Sequence, residues 1–300
     1  MKKDKPYVDK ANNSSMGESY ARKRMMTYFQ FSMIAVVFVV VFVLIYFISN
    51  AMDKNKKIDY NDAKLIQYSL PSDDTPVVVY ETSAGTFKAV LYEDQAPEYC
   101  AYFKELVNKG YYDGAHVFAV QDGVYFMGGS KSSDGTDTDD TDKTEINAEK
   151  SKDLWPFYGS MAAYGNRKSM FNSQIQAGSR VLFIGSIEFD DETKEQLESA
   201  CDNDELNKAF TEKGGVPNFS QQYTIFAQVY DGFDAYDSII SAEVVSKGED
   251  EEVGDADLRP KEDITFDKVY ISTYGENKND GFFTLEAVET NGNTDGGSSK

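Results

Sequence analysis

Residues 110–129 read Gly-Tyr-Tyr-Asp-Gly-Ala-His-Val-Phe-Ala-Val-Gln-Asp-Gly-Val-Tyr-Phe-Met-Gly-Gly. Apolar residues cluster in two short runs here, which predicts strands around His116–Val120 and Tyr125–Met127. On the N-terminal side, Tyr99, Cys100, Phe103, Leu106 and Val107 recur at spacings of three and four. Pro97 suits the first turn of that helix and Gly110 suits its end. Further out, Val77–Tyr80 is a strand, Ser83-Ala84-Gly85 is turn material, and Thr86–Tyr92 alternates, so the segment reads as a hairpin. On the C-terminal side, strands are expected at Arg180–Ile184, Tyr223–Val229 and Lys268–Tyr274. A second helix is expected at Phe233–Ile240, with Phe233, Tyr236, Ile239 and Ile240 on one face. Asp190–Lys213 reads as inserted helical material. Asp190 or Asp191 caps it, Leu197, Ala200 and Cys201 share a face, and Gly214 stops it. Many short strands with two scattered helices predict a mainly β, closed or sandwiched structure with helical plugs.

The composition removes several function classes. Among 300 residues, 51 are acidic and 30 basic, for a net charge of −21. A nucleic-acid binder needs a basic face to displace counterions, so no nucleic-acid partner is expected. A single His leaves no multi-His zinc site and little scope for a His-based triad. Two Cys allow at most one bridge, and whether Cys100 and Cys201 pair is open at this level.

Charge is unevenly placed. Seven basic and three acidic residues precede position 51, and the acidic excess lies entirely beyond it. Phe31–Ile48 holds 18 residues without a charge, close to the about 20 that a spanning helix needs. In lipid the backbone must satisfy itself, so helix prevails over the β-branched composition. The expected organisation is a cytoplasmic tail (1–28), a transmembrane helix (29–49), a tether (50–74), a folded domain (75–275, with an insertion at about 187–215) and a disordered tail (276–300) in which Phe282-Phe283 and Leu285 offer a weak dock. The basic bias places the N-terminus inside and the acidic domain outside the cytoplasm. Ser49-Asn50-Ala51 offers a weak cleavage site, but the apolar run is longer than the core of a signal peptide, so an uncleaved anchor in the cell membrane is expected.

The motifs resemble a known family. The segments Glu81–Gly85, Tyr92–Pro97, Gly110–Gly114 and Gly128-Gly129 are similar to the N-terminal half of a cyclophilin. Ala177–Phe183 resembles the family's Gly-Ser-Gln-Phe-Phe strand. Tyr223–Phe226, followed by Asp231–Asp234, resembles its Thr-Val-Phe segment. Gly214–Pro217 and Arg259–Asp263 resemble bacterial members. The resemblance covers about 75–275. It implies an eight-stranded closed β-barrel capped by two helices, peptidyl-prolyl cis-trans isomerase activity, no cofactor, and partners that are extended or proline-containing polypeptide segments.

Carried over residue by residue, the family's site is depleted. Its catalytic Arg falls on Ala119, whose methyl group donates nothing. The pocket Phe becomes Val124 and the peptide-binding Gln becomes Met127. The Met-Ala-Asn triplet becomes Met161-Ala162-Ala163. Gln of the Gly-Ser-Gln strand becomes Arg180, and the second Phe of that strand becomes Leu182. Phe219 stands for a Leu and Tyr223 for the pocket His. An apolar binding pocket is therefore expected from Val124, Met127, Met161, Ala162, Leu182, Phe219 and Tyr223, with weak or lost catalysis. Arg180 is the one candidate to deliver a guanidinium in place of the missing donor. The rival expectation is a non-catalytic peptide-binding chaperone or scaffold on the same fold.

Asp134, Asp137, Asp139, Asp140 and Asp142 crowd one loop. They lack the full calcium-loop pattern and read as a solvated acidic segment, so no metal is expected. His116 reads as structural.

Overall fold

The computed structural model describes residues 63–136, 146–169, 172–245 and 258–284, with the side chains of 166–174 left aside. All of these fall in the compact unit Asp59–Lys300. The apolar run 31–48 and most of the acidic loop lie outside the described residues. No helix among the described residues is long and apolar enough to cross a membrane.

The chain opens with a β-hairpin of β1 (Pro76–Thr82) and β2 (Gly85–Leu91). Its turn is closed by the Thr82 hydroxyl donating to the Gly85 carbonyl at 2.7 Å. Gly85 adopts φ +124°, a backbone that side chains rarely take. Next comes α1 (Pro97–Asn108), whose buried stripe of Tyr99, Cys100, Phe103, Leu106 and Val107 is the expected one. Then follow β3 (Ala115–Gln121), β4 (Tyr125–Ser130), the short β5 (Ile146–Asn147), β6 (Ser160–Ser169) and β7 (Asn172–Ile184). Two helices, α2 (Asp191–Ala200) and α3 (Asp204–Lys213), form the insertion. The chain returns through β8 (Thr224–Asp231), α4 (Phe233–Ile240), β9 (Thr265–Thr273) and the single turn α5 (Gly281–Thr284).

Around the barrel the strands run β1-β2-β8-β6-β7-β4-β3-β9 and back to β1, antiparallel at every step, with β5 attached to β7. Closure through β4 and β7 removes the two edges that the sheet would otherwise expose. The eight-stranded closed barrel with helices is the expected architecture. Its interior is aromatic. Phe126 stacks on Phe183 at 4.3 Å and Tyr80 on Phe87 at 4.8 Å, with Tyr236 of α4 edge-on to Phe87.

Three expectations are corrected. β6 was not anticipated, because Ser160–Ser169 shows no alternation of large apolar residues. Small residues are needed there: a Cβ on Gly165 would stand 2.4 Å from the Gln176 carbonyl oxygen on β7. The insertion is a hairpin of two helices rather than one. Asp190 caps the first through a 2.8 Å bond from the Thr193 amide, and Asn203 caps the second through a 2.9 Å bond from the Leu206 amide. Leu197, Ala200 and Cys201 line one cleft as expected, although Ala200 is exposed where Leu197 is buried.

The third correction concerns the domain's borders. Within the expected tether, Gln67 is fully buried and Tyr68 nearly so. Gln67 Nε2 donates to the Trp155 carbonyl, Ser160 Oγ and Gln228 Oε1 at 2.8–3.0 Å, and its Oε1 accepts from the Trp155 amide at 2.7 Å. At the other end, Phe283 packs against Val77, Val90, Tyr230 and Tyr274, the docking that Phe282-Phe283 offered. The two ends meet each other as well. The rings of Tyr68 and Phe282 lie 5.8 Å apart, and Lys278 pairs with Asp73 at 2.7 Å.

Candidate functional site

The barrel has an outward-facing apolar cluster separate from its interior. It comprises Phe118, Met127, Leu154, Ala162, Leu182, Ile184, Val216 and Ile225, with Ala119, Val124, Tyr125, Tyr164, Phe219 and Tyr223 packed at its margin. The strand registers explain how it forms. Ala119 of β3 faces Met127 of β4, Met127 faces Leu182 of β7, Leu182 faces Ala162 of β6, and Ala162 faces Ile225 of β8. A single row of side chains thus crosses five strands on the outer wall. The middle of this row is covered, with Ala162 at 0%, Leu182 at 3% and Ile225 at 6% exposure, and its half-buried margin of Ala119, Val124, Tyr125, Tyr164, Phe219 and Tyr223 is what reaches the surface.

A β-bulge shapes one end of the row. Between Val117 and Ala119 the β3–β4 register slips, so three residues of β3 oppose two of β4. Strict alternation would send Phe118 and Ala119 to opposite faces. With the slip, both join the outer cluster. Bulges commonly re-aim side chains in this way beside functional surfaces.

Four aromatic rings line the margin in sequence. Tyr125 lies 6.1 Å from Phe219, Phe219 lies 5.8 Å from Tyr223, and Tyr223 lies 6.2 Å from Tyr164. They come from β4, the turn before β8, the entry to β8, and β6. Partial burial pushes the phenols of Tyr125 and Tyr223 above their ordinary range, with the neighbouring Tyr164 adding to both. These hydroxyls therefore stay protonated donors throughout the physiological pH range.

Arg180 stands on β7, two residues before Leu182. Its guanidinium lies 4.8 Å over the Phe118 ring and donates to the Gly135 carbonyl at 2.7 Å. It is thus bound at the Phe118 end of the row. Leu182 lies beside both Met127 and Ala162, whereas Ile175 lies opposite Arg167 toward the far end of the β6–β7 hairpin.

Of the residues expected to line the pocket, Val124, Met127, Ala162, Leu182, Phe219 and Tyr223 gather in this cluster, with Ala119 beside them. Met161 does not. It is fully buried inside the barrel, opposite Phe183 and Ala227, because Ala162 takes the outward position on β6. Phe118, Tyr125, Tyr164 and Ile225 are members that sequence reasoning missed. The bulge hid Phe118, and the unrecognised β6 hid Tyr164. His116 pairs with Asp263 at 2.8 Å, away from this row. Both cysteines are free thiols, so no bridge joins Cys100 to Cys201.

Comparison with known proteins bears on the family. Residues 77–270 match the family described as cyclophilin type peptidyl-prolyl cis-trans isomerase/CLD. A Staphylococcus saprophyticus protein, named as a peptidyl-prolyl cis-trans isomerase by inference, is 26% identical over 224 residues, covering 74% of this chain and 98% of its own. A Staphylococcus epidermidis protein named in the same way is 25% identical over 197 residues, covering 65% of this chain and 90% of its own. Among solved structures, a Cryptosporidium parvum cyclophilin type peptidyl-prolyl cis-trans isomerase, crystallised in the presence of the dipeptide Ala-Pro, is similar at a TM-score of 0.46 and 17% identity, covering 66% of this chain and 99% of that one. The family match spans more than half of the sequence and coincides with the closed barrel, and the chain belongs to the cyclophilin-type peptidyl-prolyl cis-trans isomerase family.

Proposed function

We propose that the outer row and its aromatic margin bind X–Pro segments of extracytoplasmic proteins, and that the chain turns them over weakly or not at all. The observation that carries this reading is the row itself. Ala119, Met127, Leu182, Ala162 and Ile225 are all apolar, and none has a side-chain N–H or O–H to offer.

An X–Pro bond is held by a resonance barrier of about 18–20 kcal/mol. Its cis and trans forms differ by only about 0.5–1 kcal/mol, so a catalyst must favour the twisted amide over both planar ones. The strongest means is a donor aimed at the proline nitrogen, whose lone pair is released as the bond twists. The row offers a methyl group at Ala119 instead. What remains is desolvation. The planar amide separates more charge than the twisted one, so an apolar surface weakens the planar forms and lowers the barrier modestly. Aromatic faces at about 6 Å intervals suit a rigid proline ring, whose docking costs little conformational entropy.

The apolar run 31–48 and the charge asymmetry support a membrane anchor, with this domain outside the cytoplasm. The second reading, a non-catalytic binder acting as a chaperone or scaffold, is favoured by Ala119, Val124 and Met127, which stand at the family's Arg, Phe and Gln positions.

The test is exchange NMR on an Ala-Pro peptide with the purified chain. We expect line broadening from binding, with cis–trans exchange little above the uncatalysed rate. Exchange at the rate of a fully equipped family member would overturn the reading. In that case, loss of exchange in Arg180→Ala would identify the substitute donor.

A further inference from the structure

The surface-reaching margin of the row carries phenols. Tyr125, Tyr164, Phe219 and Tyr223 are half-buried, and three of these four rings end in a hydroxyl. Strand alternation explains how they meet. Each tyrosine stands two residues from a member of the row: Tyr125 from Met127 on β4, Tyr164 from Ala162 on β6, and Tyr223 from Ile225 at the entry to β8. Residues two apart on a strand share a face, and all three accordingly pack on the outer cluster. Phe219 stands between Tyr125 and Tyr223, and Tyr164 is stacked beside Tyr223.

Two observations set these hydroxyls apart. First, they are untied. Elsewhere the fold secures its phenols: Tyr99, Tyr112, Tyr230 and Tyr236 each donate to a backbone carbonyl at 2.6–3.0 Å. The hydroxyls of Tyr125, Tyr164 and Tyr223 have no hydrogen-bond partner among the described residues, yet they are not closed off from solvent as those of Tyr80 and Tyr102 are. Second, they share one space. Tyr164 acts electrostatically on the phenols of both Tyr125 and Tyr223, and Tyr125 acts on that of Tyr223.

Complementarity then selects the occupant. The margin offers donors, while the row beneath it (Ala119, Met127, Leu182, Ala162 and Ile225) holds no side-chain oxygen to receive an N–H. An ordinary segment laid on that row strands its amide N–H groups, which costs free energy. A run of prolines has no N–H at all and presents only carbonyls. In the polyproline II form those carbonyls have no internal partner, and two residues advance about 6 Å. Successive rings of the margin are 5.8–6.2 Å apart. Anionic acceptors are disfavoured by the net charge of −21.

We infer that the tyrosine margin selects runs of consecutive prolines in the polyproline II form, with the proline rings resting on its aromatic faces and the hydroxyls of Tyr125, Tyr164 and Tyr223 donating to the proline carbonyls. This rests on the row being the X–Pro site, and it narrows the substrate class from any X–Pro bond to a donor-free run.

The experiment uses the full-length chain in phosphatidylcholine nanodiscs, with empty nanodiscs as the blank. The probes are three peptides of equal length with fluorescein at the N-terminus: Gly-Pro-Pro-Pro-Pro-Gly, Gly-Ala-Ala-Pro-Ala-Gly and Gly-Ala-Ala-Ala-Ala-Gly. Anisotropy should show the first binding about fivefold or more tighter than the second, and the third not binding. Tyr125→Phe, Tyr164→Phe and Tyr223→Phe each remove one oxygen and keep the ring. Each should weaken the tetraproline peptide by about threefold, the scale of one hydrogen bond, and the triple exchange should abolish its advantage over the single-proline peptide. Unchanged Trp155 emission verifies folding, and the single exchanges carry the test if the triple variant fails that check. Equal affinity for the tetraproline and single-proline peptides would overturn the proposal and leave the X–Pro reading standing. Binding of neither would sink both. Single exchanges without effect, or an advantage that survives the triple exchange, would overturn the role given to the hydroxyls.

Discussion

Ala119 is the residue on which the proposed loss of turnover turns. The bulge in β3 delivers this position to the outer wall, at the head of the apolar row, with only a methyl group to present. Restoring a donor is the direct trial. Ala119→Arg should raise X–Pro exchange by about tenfold or more, given that single donors at reacting centres are worth about a hundredfold elsewhere. An unchanged rate in a folded variant would mean that the row does not hold the imide. A second residue-scale expectation concerns Cys100. It is fully buried on the inner face of α1, and desolvation pushes its thiol up to about 12, helped by Glu93 and Glu149 and opposed by Lys104. Iodoacetamide at pH 8 should therefore label Cys201 alone until the chain is unfolded. The sign of the pH effect follows. The native thiol stays protonated where the unfolded one, with a pKa of about 8.5, ionises, so stability is full below that pH and declines toward pH 12. Cys100→Ala should flatten part of this alkaline decline. A decline of the same slope in both proteins would assign it to the buried tyrosines, whose phenols are likewise raised by burial.

At the scale of elements, the segment before β1 behaves as a strap. Its key residue is Gln67, whose amide joins Trp155, Ser160 and Gln228 in one buried polar cluster. Removing it strands several buried groups at once, each costing about 1–3 kcal/mol. Gln67→Ala should accordingly lower unfolding stability by about 3 kcal/mol in urea titration, whereas a loss under about 0.5 kcal/mol would show that water enters and replaces the amide. No sequence signal marks this residue, because a lone Gln in polar surroundings reads as linker. The helical hairpin was half legible. Its caps and its stop at Gly214 follow from residue type, but the break at 201–203 depends on Asn203 turning back to cap α3 and on the packing of Leu197 and Phe210 against Trp155, Phe157 and Tyr68.

The whole domain is clasped by its two ends. Strap and C-terminal turn touch through Tyr68 and Phe282 and through Lys278 and Asp73. The family match stops short of both, at 77 and 270. A chain trimmed to 75–275 should therefore unfold at lower urea than one comprising 63–284, and coincident transitions would show the clasp to be ornamental. The net charge of −21 adds a global term. Self-repulsion among so many carboxylates opposes compaction and is screened by salt. Raising sodium chloride from about 20 to 200 mM should raise the unfolding midpoint of the domain, and a midpoint indifferent to salt would mean that the charges are too dispersed to interact.

Local periodicity, turn residues and side-chain identity, which are properties of short segments, gave a mainly β chain, closed or sandwiched, with two plugging helices and an acidic balance. The choice of a closed eight-stranded barrel, and the expectation of few donors at the site, came from the resemblance to cyclophilins. Only the tertiary structure decided that Phe118 joins Ala119 outside, that Met161 turns inward, that β6 exists at all, that Arg180 rests on Phe118, and that Gln67 belongs to the core. The reason is physical. A one-residue slip in register reverses which face a side chain occupies, and burial of a polar group depends on partners far away in the chain. Neither quantity is written in the neighbourhood of the residue it governs.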